Sequence, residues 1–315
     1  MAAFLVRRTI GAVIVLFVVS VLTFVIFIVI PGGDPAQRIA GRTATETNVQ
    51  NIRKDWGFND PYPVQYWNMM KKTFTNGLIS YSNRTKVVEQ IKEGIPATFS
   101  LCIGAAIIWL FFGILVGVIS AVTAGRWSDR VITLLALIGI SMPVFWLGII
   151  ARYLLAEKNQ WFPDGEYVGL TANPLQWFFH LILPWFVLAV LFIGFYGRVL
   201  RSNILDTIND DYVRTARAKG LAPRRVLIKH VLRNSLIPIV TLFGLDFAAV
   251  LGGGAILTET VFDLHGVGQY AATSINNLDL PPIMGVTLFA AFFIVLFNAI
   301  VDLLYAYLDP RIRPA

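Results

Sequence analysis

Few residues in this 315-residue chain carry chemistry in a usable arrangement. Asp246 is a lone acid inside a long apolar run. An ionisable group at that depth is costly and is a functional candidate by default. Two roles stay open to it: contact with a charged cargo along a wet path, or a satisfied hydrogen bond between spans. His180, His230 and His265 are scattered and read as structural or interfacial residues. Cys102 is the single cysteine and lies in an apolar stretch, which rules out an intrachain disulfide and a cysteine metal site. No Gly-x-x-x-x-Gly-Lys-Ser/Thr phosphate loop occurs, so the chain does not hydrolyse nucleotide by that route. Neither a His-Glu-x-x-His zinc motif nor a Gly-x-Ser-x-Gly elbow is present. No catalytic residue, metal or cofactor is therefore expected in the chain. The polar chemistry concentrates instead in residues 198–235, a basic segment between apolar runs.

The elements that position that segment follow from composition. The chain is 56% hydrophobic and 14% charged, against roughly 25% charged in soluble domains. That balance excludes a soluble enzyme, and disorder needs the opposite balance. Aromatic content of 13% and 15 prolines exclude a fibrous repeat. Six stretches are apolar enough to cross a bilayer, which takes about 20 helical residues: 9–30, 96–125, 131–151, 175–197, 236–258 and 283–301. Lipid offers backbone groups no partner, so each reads as a helix. Pro184 interrupts the fourth and His180 sits near its start. The first follows Arg7 and Arg8 and exceeds a signal peptide's apolar core, so it reads as an uncleaved anchor.

Lysine and arginine in short loops set orientation. One side carries 15 of them, nine within 198–235, and the opposite short loops carry 2. Both termini are thus placed in the cytoplasm. The net charge of +7 is a topology signal, and no nucleic-acid partner is expected. Residues 1–30 form a tail and first span, 31–95 an extracytoplasmic loop, and 96–315 a five-span core carrying the cytoplasmic loop 198–235. The outer loop holds Trp56, Phe58, Tyr62, Tyr66, Trp67, Phe74 and Tyr81. Those rings fit a compact cap or docking surface, or a belt at the membrane interface. A helix over 85–93 is predicted, ending at Gly94 and Pro96.

The cytoplasmic loop contains two helix signals. Asn209, Asp210 and Asp211 offer a cap and negative charge at a helix start. A helix over 212–219 follows, stopped by Gly220. Pro223 suits the first turn of a second helix, whose Arg225, Lys229 and Arg233 recur every fourth residue. Val226, Leu227, Val231 and Leu232 fall on other faces and can pack on the bundle. Ala216, Ala218 and Gly220 leave room for a partner surface. Physics alone leaves two readings: a docking element for a partner, or a basic surface lying on anionic lipid.

The run Asp211-Tyr212-Val213-Arg214-Thr215-Ala216-Arg217-Ala218-Lys219-Gly220-Leu221 resembles the cytoplasmic coupling loop of ATP-binding-cassette importer permeases. The B-type permease of the dipeptide, oligopeptide and nickel group looks most similar. Further matches occur in order along nearly the whole chain: Val6-Arg7-Arg8, Pro31-Gly32-Gly33-Asp34-Pro35, Pro61-Tyr62-Pro63-Val64-Gln65-Tyr66, Ile95-Pro96-Ala97-Thr98, Gly253-Gly254-Ala255, Glu259-Thr260-Val261-Phe262 and the closing 302–313. The general importer signature has Glu-Ala-Ala where this chain has Arg214-Thr215-Ala216, and a proline where it has Arg233. Both differences suit the peptide group's variant, and no glutamate contact to an ATPase is carried over.

The resemblance implies an all-α integral membrane protein with six transmembrane helices, both termini cytoplasmic, like a type I importer permease. It implies a bacterial inner-membrane location and alternating access for di- or oligopeptides. ATP and magnesium would sit on two separate ATPase subunits. A second permease, non-identical in the family's usual arrangement, and an extracytoplasmic substrate-binding protein are the other implied partners, with membrane lipid around them. The helix over 211–220 becomes a lever: Tyr212, Val213 and Ala216 would meet a groove on the ATPase, and Arg214, Arg217 and Lys219 its acidic rim. Asp246, Gly252 and Gly253 are candidates for the translocation path. The glycine run serves there as a hinge or as plain close packing. Gly113 and Gly117 would let the second span pack closely. The rivals are an ion-coupled transporter using Asp246, for which no internal repeat is found, and a membrane-embedded enzyme, for which polar groups are too few.

Overall fold

A computed structural model describes residues 2–30, 34–40, 45–55 and 57–308. Pro31-Gly32-Gly33, Trp56 and the terminal part of the closing motif from Asp309 onward lie outside the described residues. Fifteen helices follow in chain order among those described: α1 (Ala2–Phe24), α2 (Pro35–Ala40), α3 (Glu46–Asp55), α4 (Tyr62–Phe74), α5 (Val87–Val122), α6 (Trp127–Ser141), α7 (Val144–Ala151), α8 (Pro174–Thr207), α9 (Asp211–Ala218), α10 (Pro223–Val226), α11 (Arg233–Ser235), α12 (Ile237–Ala249), α13 (Ile256–Val261), α14 (Val267–Asn276) and α15 (Leu280–Leu308). Wider π turns extend α1, α7, α10 and α12. An isolated bridge between Ile79 and Lys86 is the β feature among the described residues.

Among the described residues five helical segments are long and apolar enough to cross a membrane: Val6–Val29, Val87–Val122, Pro174–Thr207, Ile237–Gly254 and Leu280–Val301. The remaining predicted span is a bent pair. Helix α6 and the segment Val144–Lys158 meet at 98°, so residues 131–151 are not one straight helix. The bend falls at Met142-Pro143, where Met142 is extended at φ −80°, ψ 127°. Proline has no N–H to continue the ladder and disfavours α conformation in the residue before it.

Two other expectations are corrected. The helix over 85–93 does not stop at Gly94 and Pro96; it begins at Val87 and runs to Val122. The outer-loop boundary at 95 thus falls inside α5. Gly94 is a packing residue: a Cβ there would sit 2.8 Å from the Val267 nitrogen at the start of α14. The fourth span is not broken at Pro184, which lies buried within α8. Helix α8 continues ten residues past the predicted end at 197, so Arg198 and Arg201 lie within it rather than at its end. At its start Asn173 accepts a 3.1 Å hydrogen bond from the Gln176 N–H.

The core centres on α5 against α8. A Cβ on Gly113 would meet Tyr196 Cβ at 2.8 Å, one on Gly117 would meet Leu200 Cβ at 2.8 Å, and one on Gly197 would meet Val116 at 2.7 Å. Glycine on both helices brings the backbones together, as expected for Gly113 and Gly117. Trp109 fills the adjoining space, stacked on Phe192 at 4.5 Å between ring centroids. The outer segment rests on the first span, with Tyr66 packed edge-on to Phe17 and Phe24 and its hydroxyl 2.7 Å from Ser20 Oγ. Tyr62, Trp67 and Phe74 point outward.

Candidate functional site

Helix α9 is short, and its position is fixed at three points. At its C-terminus the Gly220 N–H donates to the Arg217 carbonyl at 2.9 Å, and the Leu221 N–H to Ala216 at 3.4 Å. That pair of bonds is a Schellman stop, and it needs the left-handed backbone that Gly220 supplies at φ +76°. On the inward face Val213 is fully buried and Ala216 is 5% exposed, both in the main core. At the N-terminal end the Tyr212 hydroxyl accepts a 2.7 Å hydrogen bond from Asn234 Nδ2. It also donates at 3.4 Å to the His230 carbonyl. Asp210 occupies the N-cap position without a side-chain cap bond.

This geometry corrects the expected contact surface. Val213 and Ala216 face this chain's own core and are not available to a partner. The outward face consists of Asp211, Arg214, Thr215, Arg217, Ala218 and Lys219, with Gly220 and part of Tyr212. Arg214 lies 3.6 Å from Asp211 across one helical turn, an exposed pair of little energetic weight. Buried Val226 and Val231 carry the anchoring onward, and exposed Arg225, Lys229 and Arg233 continue the basic surface. Ser235 is buried and donates to the Asn203 carbonyl at 3.2 Å, pinning α11 to α8. From there the chain turns directly into α12. Packed side chains, not a slack linker, thus join α9 to α8 and α12.

Of the three candidate pathway residues, Gly252 and Gly253 line one small cavity, and Asp246 is not among its lining residues. Asp246 is half-buried and accepts a 2.8 Å hydrogen bond from Tyr196 on α8. That is the interspan bond of the structural reading. Gly252 is a packing residue, since a Cβ there would sit 2.6 Å from Ile294 on α15. Gly253 breaks the helix at φ +143°, a conformation open in practice to glycine alone. Both glycines line a small cavity of about 30 Å³ with Thr98 and Glu259.

Three acids that sequence reasoning did not single out hold the bundle together. Glu259 is fully buried. It accepts from Thr98 Oγ1 at 2.8 Å and from the Gln269 N–H at 2.9 Å. Thr98 Oγ1 in turn accepts from the Val267 N–H at 2.9 Å. Burial pushes the Glu259 carboxyl up to about 6. Asp279 accepts from the Tyr81 and Ser82 N–H groups at 2.9 and 3.2 Å and is also bonded by Ser80. Its charge adds to burial in raising the Tyr81 phenol. Asp129 takes both forks of Arg201 at 2.8 Å and a 2.9 Å bond from the Gly125 N–H. The partners lie far off in sequence, so spacing gives no signal. The family-like stretches around Thr98 and Glu259 were the available hint. Among the described residues no group of histidine, cysteine, aspartate and glutamate is arranged to hold a metal ion.

The comparisons agree with this architecture. The model of the family "Binding-protein-dependent transport system inner membrane component" matches residues 113–314. A second model, "Binding-prot-dependent transport system membrane comp, N-term", matches residues 1–102. The probable peptide ABC transporter permease protein y4tP of Sinorhizobium fredii is 37% identical, over 99% of this chain and 100% of that protein. The probable D,D-dipeptide transport system permease protein DdpB of Escherichia coli is 38% identical, over 97% and 96%. The oligopeptide transport system permease protein AppB of Bacillus subtilis is 38% identical, over 99% and 100%. A solved structure of the MetNI methionine ABC transporter in inward-facing conformations gives a TM-score of 0.55 at 16% identity. It covers 70% of this chain and 97% of that one, and supports the fold. Family membership places the chain with ABC importer permeases rather than with ion-coupled transporters. This chain belongs to the binding-protein-dependent transport system inner membrane component family and is a multi-pass inner-membrane permease of the ABC importer type.

Proposed function

We propose that the chain is one permease of an importer that carries di- or oligopeptides, driven by ATP hydrolysed on separate subunits. The relatives' peptide, dipeptide and oligopeptide names support the cargo class. The observation that carries the mechanism is the anchoring of α9. Val213 and Ala216 lock it to the core, Gly220 ends it sharply, and its basic outward face is left for a partner.

Two ATPase subunits holding ATP and magnesium would take the outward faces of this helix and its counterpart on a second permease. The chemistry of nucleotide hydrolysis belongs to those subunits, and this chain supplies the conducting bundle and the lever. When the ATPases close, α9 moves as a rigid piece. The Tyr212–Asn234 bond and the Val213 and Val231 packing carry that motion to α8 and α12. Cargo passes between the two permeases, handed over from an extracytoplasmic binding protein. The exposed Tyr62, Trp67 and Phe74 of the outer segment are the surface this chain offers for that handover.

The test is reconstitution. The chain with its partner permease, ATPases and binding protein in proteoliposomes should accumulate labelled dipeptide only with ATP and binding protein present. Accumulation that ignores ATP and collapses with an uncoupler contradicts the proposal.

A further inference from the structure

We propose that the groove between α5, α6 and α8 near the cytoplasmic ends of these spans binds one anionic phospholipid, its phosphate held by Arg130 and Arg198. The groove has a volume of about 440 Å³, within the usual range for ligand sites of about 300–1,000 Å³. Its walls are apolar, with Val116, Ile132 and Leu137 among the lining residues, and its polar end carries Asp129, Arg130, Arg198 and Arg201. The polar groups lie at the start of α6 and toward the inner end of α8, so they share one membrane level. Leu137 lies eight residues further along α6, about 12 Å deeper at 1.5 Å per residue.

The charge count decides the ligand. Among the described residues Asp129 is the one acid lining the groove, and it is taken by both forks of Arg201 at 2.8 Å. Arg130 and Arg198 are exposed at the same groove and make no ion pair among the described residues. Two uncompensated cations therefore stand over an apolar slot. A free phosphate has no use for the apolar walls. A zwitterionic peptide brings an ammonium group that finds its acceptor, Asp129, already occupied. An anionic phospholipid uses both halves, and the cytoplasmic leaflet supplies it. Exposed Leu134 and Leu137 flank the slot, so it opens sideways on this chain rather than into the core. Gly197 and Val116 both line the groove, and the missing side chain of Gly197 permits their close approach.

The test uses the full-length chain in mild detergent, titrated with phosphatidylglycerol or phosphatidylcholine and read by native mass spectrometry. The wild type should retain phosphatidylglycerol over phosphatidylcholine. The double variant Arg130→Gln/Arg198→Gln should bind it about 30-fold more weakly, equivalent to about 2 kcal/mol at about 1 kcal/mol per arginine. Thr133→Trp, which obstructs the slot and keeps both arginines, should lose the lipid as well. Unchanged circular dichroism and elution volume establish that both variants are folded. Retention within about twofold in either variant overturns the proposal. Displacement of the lipid by glycerol phosphate assigns a bare anion site and also overturns it. Displacement by a dipeptide assigns the groove to cargo, with the same consequence.

Discussion

Replacing Gly220 separates the lever's backbone requirement from every side-chain effect. A Cβ at this position meets no atom within 4 Å, so substitution there adds no clash. What remains is the backbone, held at φ +76°. An L-residue in that region costs about 1–2 kcal/mol, so Gly220→Ala should open the end of α9 about tenfold more often. Proline is fixed near −65°, which the observed backbone cannot accommodate. It also deletes the N–H that donates to Arg217 at 2.9 Å, worth about 1 kcal/mol. Together the penalty reaches about 3 kcal/mol or more, and opening should rise more than 100-fold. Hydrogen exchange at the Leu221 amide, bonded to Ala216, reads the opening directly. In the reconstituted importer, peptide moved per ATP should fall slightly for Gly220→Ala and collapse for Gly220→Pro. ATP turnover should persist in both. If Gly220→Pro transports at the wild-type ratio while Leu221 exchanges fast, the sharp stop of α9 is not needed for coupling.

Other consequences follow from the same geometry. Adding a Cβ at Gly104 would place it 2.0 Å from the Trp185 ring, so Gly104→Ala should cost about 1–3 kcal/mol and lower the melting temperature in detergent. Asp129→Asn strands Arg201, which is partly exposed. The loss should be about 2–3 kcal/mol, below the range for a fully buried pair, with part regained in Asp129→Asn/Arg201→Gln. Glu259 is protonated more readily in the folded hairpin, at about 6 against an ordinary 4.5. Its contribution is therefore full below 4.5 and is lost as pH rises through about 6, a change of about 2 kcal/mol. Hydrogen exchange of the α13–α14 hairpin should quicken across that window, corrected for intrinsic rates, and Glu259→Gln should flatten the slope. Asp246→Asn keeps an oxygen for the Tyr196 hydroxyl, so uptake and affinity should hold within about twofold. A larger loss of affinity in a folded variant would return Asp246 to the cargo path.

Legibility in the sequence tracks how local each signal is. The Gly220 stop was readable because a C-terminal glycine acts on its own turn. The spans were readable because apolar length alone requires a helix in lipid. Gly94 and Pro96 misled because their reason is tertiary: α14 approaches to within 3 Å of where a Cβ would stand. The bend at Met142-Pro143 was hidden because an apolar run reads the same straight or broken. Pro184 looked like a break, yet α8 carries it in a buried setting. On α9 the spacing of Val213 and Ala216 by three already marked an inward stripe. That stripe packs into this chain's own core. Asp129, Glu259 and Asp279 find partners 72, 161 and 199 residues away in sequence, beyond any local pattern.

The central claim is that α9 presents its outward face to a separate ATPase while Val213 and Ala216 hold it from behind. Single cysteines at Thr215, Arg217 and Val213 test it, because the native Cys102 is buried and silent to a bulky maleimide. In the chain alone, the first two should label quickly and Val213→Cys should not. In the assembled importer, labelling at 215 and 217 should fall at least tenfold, and a short crosslinker should join them to the ATPase. Equal labelling of those two positions in the free chain and in the assembled, transport-active importer would contradict the account.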